Sequence, residues 1–107
     1  MDFRESYGPY ALIAGASAGL GAAFARAYAA RGYDLALVAR RLDRLQALGG
    51  ELSAAHGVET QSIACDLGGW EAHKVVLDAL GARATEVEVL VNNAGFGIAE
   101  DFDAVPW

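Results

Sequence analysis

Residues 13–24 read "IAGASAGLGAAF", and three glycines in this segment separate an apolar run from an alanine-rich run. The apolar residues before Gly15 predict a buried strand, and the alanine-rich residues after Gly19 predict a helix. A strand that turns through glycines into a helix leaves backbone N–H groups unpaired, and these groups favour an anion such as a phosphate. A glycine-rich turn used only for tight packing is the simpler interpretation.

Each glycine of this turn has a separate predicted role. Gly15 makes the sharp turn off the strand, Gly19 lets the backbone approach a pyrophosphate closely, and Gly21 lets the helix pack against the sheet. Ser17 offers its hydroxyl either to a phosphate or to an N–H group of the first helical turn. The sequence lacks G-x-x-x-x-G-K-[ST], which argues against a P-loop nucleotide hydrolase.

Strand-like and helix-like segments alternate along the whole chain. Four apolar runs predict parallel strands that are buried on both faces: Tyr10–Ala14, Asp34–Ala39, Thr60–Cys65 and Val87–Asn92. The segments between them predict helices over about residues 19–31, 41–56 and 70–84. Such βαβ units gather their loops at the carboxyl ends of the strands, where ligands bind. We therefore predict a single α/β domain over residues 1–107.

The helices also carry predicted inward faces. The face of the first helix is predicted to comprise Leu20, Phe24, Ala27 and Tyr28. The face of the second is predicted to comprise Leu42, Leu45, Leu48 and Leu52. Val76, Leu77 and Leu80 are predicted to anchor the third. Gly49 and Gly50 predict a bend within the second helix, because glycine is a poor helix former.

Composition excludes several functions. With 14 acidic and 8 basic side chains, the net charge of -6 disfavours nucleic-acid binding. Cys65 is the single cysteine, which excludes an intramolecular disulfide and fits a reducing cytoplasm. The uncharged run over residues 6–25 is broken by glycines and Pro9 and is mostly alanine, so we predict neither a transmembrane segment nor a signal peptide.

Four motifs follow one another in order: "GASAGLG" at 15–21, "LVARR" at 37–41, "CDL" at 65–67 and "NNAG" at 92–95. Together they resemble the short-chain dehydrogenase/reductase family, whose glycine motif is usually T-G-x-x-x-G-x-G. Ala14 stands where that family usually has threonine, so a hydroxyl that would fix the loop is missing. The resemblance implies a Rossmann-type three-layer αβα fold with parallel strand order 3-2-1-4. It also implies hydride transfer between a nicotinamide cofactor and a carbonyl or alcohol substrate.

The end of the second strand predicts which nicotinamide cofactor is bound. An NAD site typically places an acidic residue there for the ribose hydroxyls, whereas this chain has Ala39 followed by Arg40 and Arg41. A carboxylate would repel a 2′-phosphate, and a guanidinium offers it a planar, charge-assisted pair of donors. The sequence therefore favours NADP over NAD. The alternative is that both arginines are solvated charges, although a helix start opposes positive charge.

The resemblance assigns the remaining cofactor contacts. Asp66 accepts a hydrogen bond from the adenine amino group with help from the Leu67 backbone, although a helix N-cap is a compatible role. Asn93, Ala94 and Gly95 line the ribose, and an ordinary asparagine-rich turn is the alternative. The full predicted set is Gly15, Ser17, Ala18, Gly19, Leu20, Gly21, Arg40, Arg41, Asp66, Leu67, Asn93, Ala94 and Gly95. No metal site is predicted, because His56 and His73 have no partner at ligand spacing.

The catalytic residues that the resemblance implies are not found. That family uses a tyrosine with a lysine four residues later, but none of the four tyrosines has one, and Lys74 is the single lysine. We therefore expect the amino-terminal cofactor half of a longer enzyme, inactive alone. A non-catalytic nucleotide-binding or regulatory module is the alternative. A methyltransferase-type Rossmann domain would prefer an acidic residue in place of Arg40.

Strand order 3-2-1-4 has a further consequence for assembly. The fourth strand becomes an unpaired apolar edge, and one face of the sheet is expected to lose its covering helices. We therefore predict that the chain forms homo-oligomers through this edge.

Overall fold

The computed structural model describes residues 9–16, 19–66 and 72–93. The strands are β1 (Tyr10–Ala14), β2 (Asp34–Ala39), β3 (Thr60–Ala64) and β4 (Val87–Asn92). The helices are α1 (Gly19–Ala30), α2 (Leu42–His56) and α3 (Ala72–Leu80), and a 3-10 helix over Gly81–Glu86 follows α3. No helix in these ranges is long and apolar enough to cross a membrane.

The four strands form one parallel sheet in the order β3-β2-β1-β4. Leu12 pairs with Ala36 of β2 on one side and with Leu90 of β4 on the other. The predicted fold class and strand order are therefore confirmed. The strand bounds agree with the prediction except that β3 ends at Ala64 rather than Cys65.

Helices cover both faces of the sheet and give three layers. On one face, α1 and α2 pack against the strand residues Ala11, Ile13, Leu35 and Leu37. On the other face, α3 and the 3-10 helix pack against Tyr10, Leu12, Ala36 and Val38. The expected loss of covering helices is therefore wrong for the part of the sheet built from β1 and β2, whose residues are buried throughout.

Burial differs between the central and the outer strands. All of β1 and β2 is buried, as predicted. In contrast, β3 is mostly half-buried, and β4 is half-buried from Val89 to Asn92. The prediction of burial on both faces is wrong for these two strands because each has a neighbour on one side only within the described sheet.

The inward face of α1 differs from the prediction. Its buried residues are Gly21, Ala22, Ala25 and Ala29. Leu20 is 61% exposed and Phe24 is 36% exposed, and of the predicted face only Tyr28 packs against the core. The physical reason is the close approach of the helix to the chain before it: a Cβ on Gly21 would overlap the carbonyl oxygen of Gly15. Only small side chains fit at that separation.

The predicted bend in α2 is also wrong, since the helix continues from Leu42 to His56. Gly49 is buried where α2 crosses β3, and a Cβ there would lie 2.7 Å from the Oγ1 atom of Thr60. The glycine therefore allows close packing rather than a break. Leu45, Leu48 and Leu52 are buried as predicted, whereas Leu42 at the helix start is 41% exposed.

The third predicted helix is divided into two parts. It begins at Ala72 in the structure, residues 70–71 lie outside the described residues, and a 3-10 helix replaces its last turn. Val76 and Leu80 are buried and Leu77 packs against the same cluster, so the predicted anchor is confirmed.

Charged side chains connect the amino ends of the strands, at the edge of the sheet opposite the carboxyl ends. Arg83 of the 3-10 helix lies with its Cζ atom 3.9 Å from the centre of the Tyr10 ring. Its guanidinium is 3.1 Å from Glu86, 3.5 Å from Glu59 and 3.6 Å from Asp34. Arg83 therefore joins the starts of β1 and β2 to the segments that precede β3 and β4.

Candidate functional site

The carboxyl ends of the four strands lie at one edge of the sheet and are joined by backbone hydrogen bonds. The N–H groups of Gly15 and Ala16 both donate to the carbonyl of Val38, at 2.7 and 3.1 Å. The Cys65 N–H donates to Ala39 at 3.0 Å, and the Asn93 N–H donates to Ala14 at 3.1 Å. The loops that follow β1, β3 and β4 are therefore each fixed to a neighbouring strand.

The glycine turn provides the backbone surface of the site. Gly15 has φ +80° and Gly19 has φ +58°, a left-handed backbone conformation that residues other than glycine rarely adopt. A Cβ on Gly19 would meet no atom within 4 Å, so the backbone is open on that side. Because α1 begins at Gly19, its first-turn N–H groups have no intrahelical acceptor. These groups can receive an anion.

Gly21 allows the start of α1 to pack directly against the backbone of the turn. Its Cα is so close to the turn that a Cβ would lie 2.8 Å from the Gly15 carbonyl carbon and 3.1 Å from the Ala16 Cα. The close approach is therefore to the backbone of the glycine loop, whereas the sequence predicted packing against the sheet. This contact holds the loop and the helix in a fixed relation.

Two arginines follow β2, and they differ in their partners. Arg41 donates from Nε and Nη2 to the two carboxylate oxygens of Asp43, each at 3.3 Å. This hydrogen bonding lowers the pKa of the Asp43 carboxyl, which is ionised at neutral pH. Arg40 is exposed, and within the described residues its side chain makes neither a hydrogen bond nor an ion pair. Arg40 is therefore the arginine that is ready for an incoming anion.

Polar residues complete the edge at the ends of β3 and β4. Asp66 and Asn93 are both exposed there. Cys65 is half-buried, and desolvation, followed by the charge of Asp66, raises the pKa of its thiol. The thiol is therefore protonated at neutral pH and is a poor nucleophile.

The structure brings most of the predicted residues to one edge. Those that it places there are Gly15, Gly19, Leu20, Gly21, Arg40, Arg41, Asp66 and Asn93. The remaining predicted residues, Ser17, Ala18, Leu67, Ala94 and Gly95, lie outside the described residues. Among residues 9–16, 19–66 and 72–93, no group of three His, Cys, Asp or Glu side chains could hold a metal ion.

Chemically, the edge combines an open glycine backbone, helix N–H groups without an intrahelical acceptor and a guanidinium without a partner among the described residues. These are donors to anionic oxygens, and the residues present therefore fit a phosphate-bearing dinucleotide. One further cation, Arg44, was not predicted from the sequence. It lies on the first turn of α2, and the sequence carries no signal for it, because its place near Gly19 depends on how α1 and α2 face each other.

Comparison with known proteins identifies the family to which the chain belongs. A family model described as short chain dehydrogenase matches residues 9–106. The chain belongs to the short-chain dehydrogenase family. A solved short-chain dehydrogenase from Sphingobium yanoikuyae, in complex with NADPH, superposes with a TM-score of 0.73 at 41% identity, covering 81% of this chain and 34% of that one.

Curated members of the short-chain dehydrogenase family are similar over most of this sequence. The very-long-chain 3-oxoacyl-CoA reductase of Anas platyrhynchos is 37% identical over 103 residues, which cover 92% of this chain and 32% of the relative. The inactive hydroxysteroid dehydrogenase-like protein 1 of Homo sapiens is 34% identical over 95 residues, which cover 88% of this chain and 28% of the relative. The chain thus spans about a third of the length of these two relatives.

Proposed function

We propose that this chain is the NADP(H)-binding portion of a short-chain dehydrogenase/reductase, which transfers a hydride between a nicotinamide cofactor and a carbonyl or alcohol substrate. The observation that carries the proposal is Arg40, an exposed guanidinium without a described partner at the end of β2. A carboxylate at this position would select ribose hydroxyls, and a guanidinium selects a 2′-phosphate. The NADPH complex of the Sphingobium yanoikuyae relative supports the same cofactor.

In this proposal each loop at the carboxyl edge holds one part of the cofactor. The pyrophosphate lies on the turn formed by residues 15–21, including Ser17, Ala18 and the N–H groups of Gly19, Leu20 and Gly21. Arg40 and Arg41 receive the 2′-phosphate. Asp66 and Leu67 hold the adenine, and residues 93–95 line the ribose. When bound, the cofactor supplies or accepts the hydride, and this chain binds and orients it.

The proton donor for the reaction is proposed to lie outside these residues. A carbonyl reduction needs an acid beside the carbonyl oxygen, and no tyrosine of the chain has a lysine four residues later. The side chain of Tyr10 is buried at the amino ends of the strands, away from the proposed cofactor edge. We therefore propose that the 107 residues alone bind cofactor without turnover.

A second candidate is a nucleotide-binding or regulatory module without chemistry. It is favoured by the similarity to the inactive human relative. The two candidates differ in one assay, which is oxidation of NADPH by the intact protein in the presence of ketone and aldehyde substrates. Turnover supports the oxidoreductase, and stoichiometric binding without turnover supports the module.

The cytoplasm stays the predicted location, on the grounds of the single cysteine.

The cofactor assignment is tested by calorimetric titration of NADPH and NADH into the wild-type protein and Arg40→Ala. Losing a charge-assisted bidentate contact should weaken NADPH binding about 10- to 100-fold while NADH changes little. Arg31→Ala is the matched control, because Arg31 is an exposed arginine just beyond the carboxyl end of α1, at the opposite edge of the sheet. Equal losses for NADPH and NADH in Arg40→Ala would show that Arg40 does not recognise the 2′-phosphate.

A further inference from the structure

A second surface near the glycine turn contains a charge that the proposed site does not use. The start of α1 and the first turns of α2 face each other across an open cavity of about 470 Å³. Its lining includes Gly19, Ala22 and Arg26 from α1 and Arg44, Leu48 and Glu51 from α2. Gly19 belongs to the turn on which we place the pyrophosphate, so the cavity adjoins the proposed cofactor site.

The charges of this cavity are unevenly paired. Arg26 and Glu51 form an ion pair at 3.1 Å, which neutralises both. Arg44 lines the same cavity, and its guanidinium makes no hydrogen bond or ion pair with any described residue. The cavity therefore has a net positive charge, carried by Arg44 beside Gly19.

Arg41, the other arginine near this edge, is paired. Its Nε and Nη2 donors are occupied by the ionised Asp43 carboxylate, whose negative charge partly offsets the attraction of Arg41 for an anion. Arg40 and Arg44 are therefore the guanidinium groups at the start of α2 that lack a described partner. A 2′-phosphate carries a charge of about −2, which two guanidinium groups match better than one.

We propose that Arg44 is the second cation that selects the phosphorylated dinucleotide, acting with Arg40, and that Arg41 contributes less because Asp43 holds it. This assignment rests on the proposed function, since it concerns the 2′-phosphate of the same cofactor. Arg44 is a specificity-determining residue: it lowers the dissociation constant of NADPH relative to that of NADH and takes no part in hydride transfer.

The test is calorimetric titration of five proteins: wild type, Arg40→Ala, Arg44→Ala, Arg41→Ala and the charge-matched control Arg31→Ala. The probes are NADPH, NADH, adenosine 2′,5′-bisphosphate and adenosine 5′-monophosphate. Arg44→Ala should weaken NADPH and the bisphosphate about 3- to 5-fold and leave NADH and the monophosphate unchanged. The loss in Arg41→Ala should be smaller. The affinity of Arg44→Ala for NADPH should also fall less steeply with added salt than that of wild type.

The contrary outcomes are distinct. If Arg44→Ala loses no more NADPH affinity than Arg31→Ala while Arg40→Ala loses its cofactor preference, Arg44 is not involved and the proposed function stands. If Arg44→Ala weakens NADH as much as NADPH, its role is not 2′-phosphate recognition. If the wild-type protein shows no preference for NADPH over NADH, the NADP assignment fails, and this inference fails with it. Thermal unfolding of each variant verifies that the fold is retained.

Discussion

Among single residues, the glycines shape the site, because the lack of a side chain lets backbone atoms approach closely or stay open. Gly21 permits a contact between α1 and the Gly15 carbonyl that no side chain could permit, and this contact fixes the loop onto the helix. Gly19 leaves open the backbone surface onto which a phosphate would be placed. Arg40 then provides charge at the end of the neighbouring strand. The close packing of Gly21 on Gly15 and the exposed guanidinium of Arg40 make different contributions, which substitutions can separate.

We predict that Gly21→Ala destabilises the fold and abolishes dinucleotide binding. The new Cβ would overlap the Gly15 carbonyl, and because both partners are backbone, the helix and the turn must move apart. We expect a loss of about 3 kcal/mol in the free energy of unfolding, measured by urea denaturation.

Gly50→Ala is the matched control for this change. Gly50 is an exposed residue in the interior of α2, where a Cβ would meet no atom within 4 Å. We expect it to stabilise the protein by about 0.5–1 kcal/mol, since alanine is the better helix former. A Gly21→Ala variant as stable as wild type would mean that the contact with Gly15 is looser than described.

At the scale of elements, the amino ends of the strands are held by one cation and its partners. Arg83 is 25% exposed, lies over the Tyr10 ring and pairs with three carboxylates from different segments. One of these, Asp34, also accepts a hydrogen bond from the Glu59 N–H at 2.9 Å. All these contacts lie at the edge opposite the proposed cofactor site. We therefore propose that these contacts stabilise the fold and that cofactor binding takes place at the carboxyl edge.

Tyr10 makes this network sensitive to alkaline pH. Burial raises the pKa of the Tyr10 phenol from 10.0 to about 12. The unfolded chain thus loses this proton at lower pH than the folded protein, so the folded state is disfavoured as pH rises through this window. We predict a fall of about 2 kcal/mol in the free energy of unfolding between pH 10 and 12 from this group.

Urea denaturation of wild type and Tyr10→Phe across this range measures the effect. The decline with pH should be smaller in Tyr10→Phe, because phenylalanine has no proton to lose. Tyr33→Phe removes the same hydroxyl from a partly buried tyrosine that packs on Tyr28 rather than on Arg83. It should retain the wild-type decline. Parallel curves for wild type and Tyr10→Phe would refute the role given to Tyr10.

In the whole molecule, β4 is one of the two outer strands of the described sheet, and it is the more apolar of the two. No described strand pairs with its outer side, and Val89, Leu90 and Val91 are only half-buried. Apolar edges of this kind associate with other strands. We therefore propose self-association of the 107-residue chain through β4.

Sedimentation velocity at micromolar concentration tests the assembly. We expect dimers or larger species for the wild type and a shift towards monomer for Val91→Lys, because a charge at the apolar edge opposes strand pairing. Glu88→Gln changes an exposed residue of the same strand and should leave the distribution as in the wild type. A monodisperse wild-type monomer would exclude association through this edge.

Much of this architecture could be predicted from the sequence because its signals are local. Apolar runs of strand length and the glycine turn between Ile13 and Phe24 determine the alternation of elements, and the confirmed sheet order follows from the family resemblance. The predicted residues of the described carboxyl edge meet there because parallel strands end together. What could not be predicted depends on distances between elements. Gly49 was expected to break α2 but packs against Thr60.

The same limit explains the wrong face of α1. Periodicity favoured its large side chains, Leu20 and Phe24, as core residues. The close approach of the helix to the glycine turn, which a sequence pattern does not encode, leaves room only for alanines. Arg44 was missed for a related reason: its proximity to Gly19 arises from the way α1 and α2 face each other.

We propose that the carboxyl edge of the sheet binds a phosphorylated nicotinamide dinucleotide. Hydrogen exchange of backbone amides, with and without NADPH, tests it most directly. Protection is expected in residues 15–21, 39–41, 64–67 and 92–95. No change is expected around the cavity of about 540 Å³ at the opposite edge, which is lined by Tyr10, Glu59 and Arg83. Protection confined to that opposite cavity, or absent from the glycine turn at saturating NADPH, would show that the carboxyl edge does not bind the cofactor.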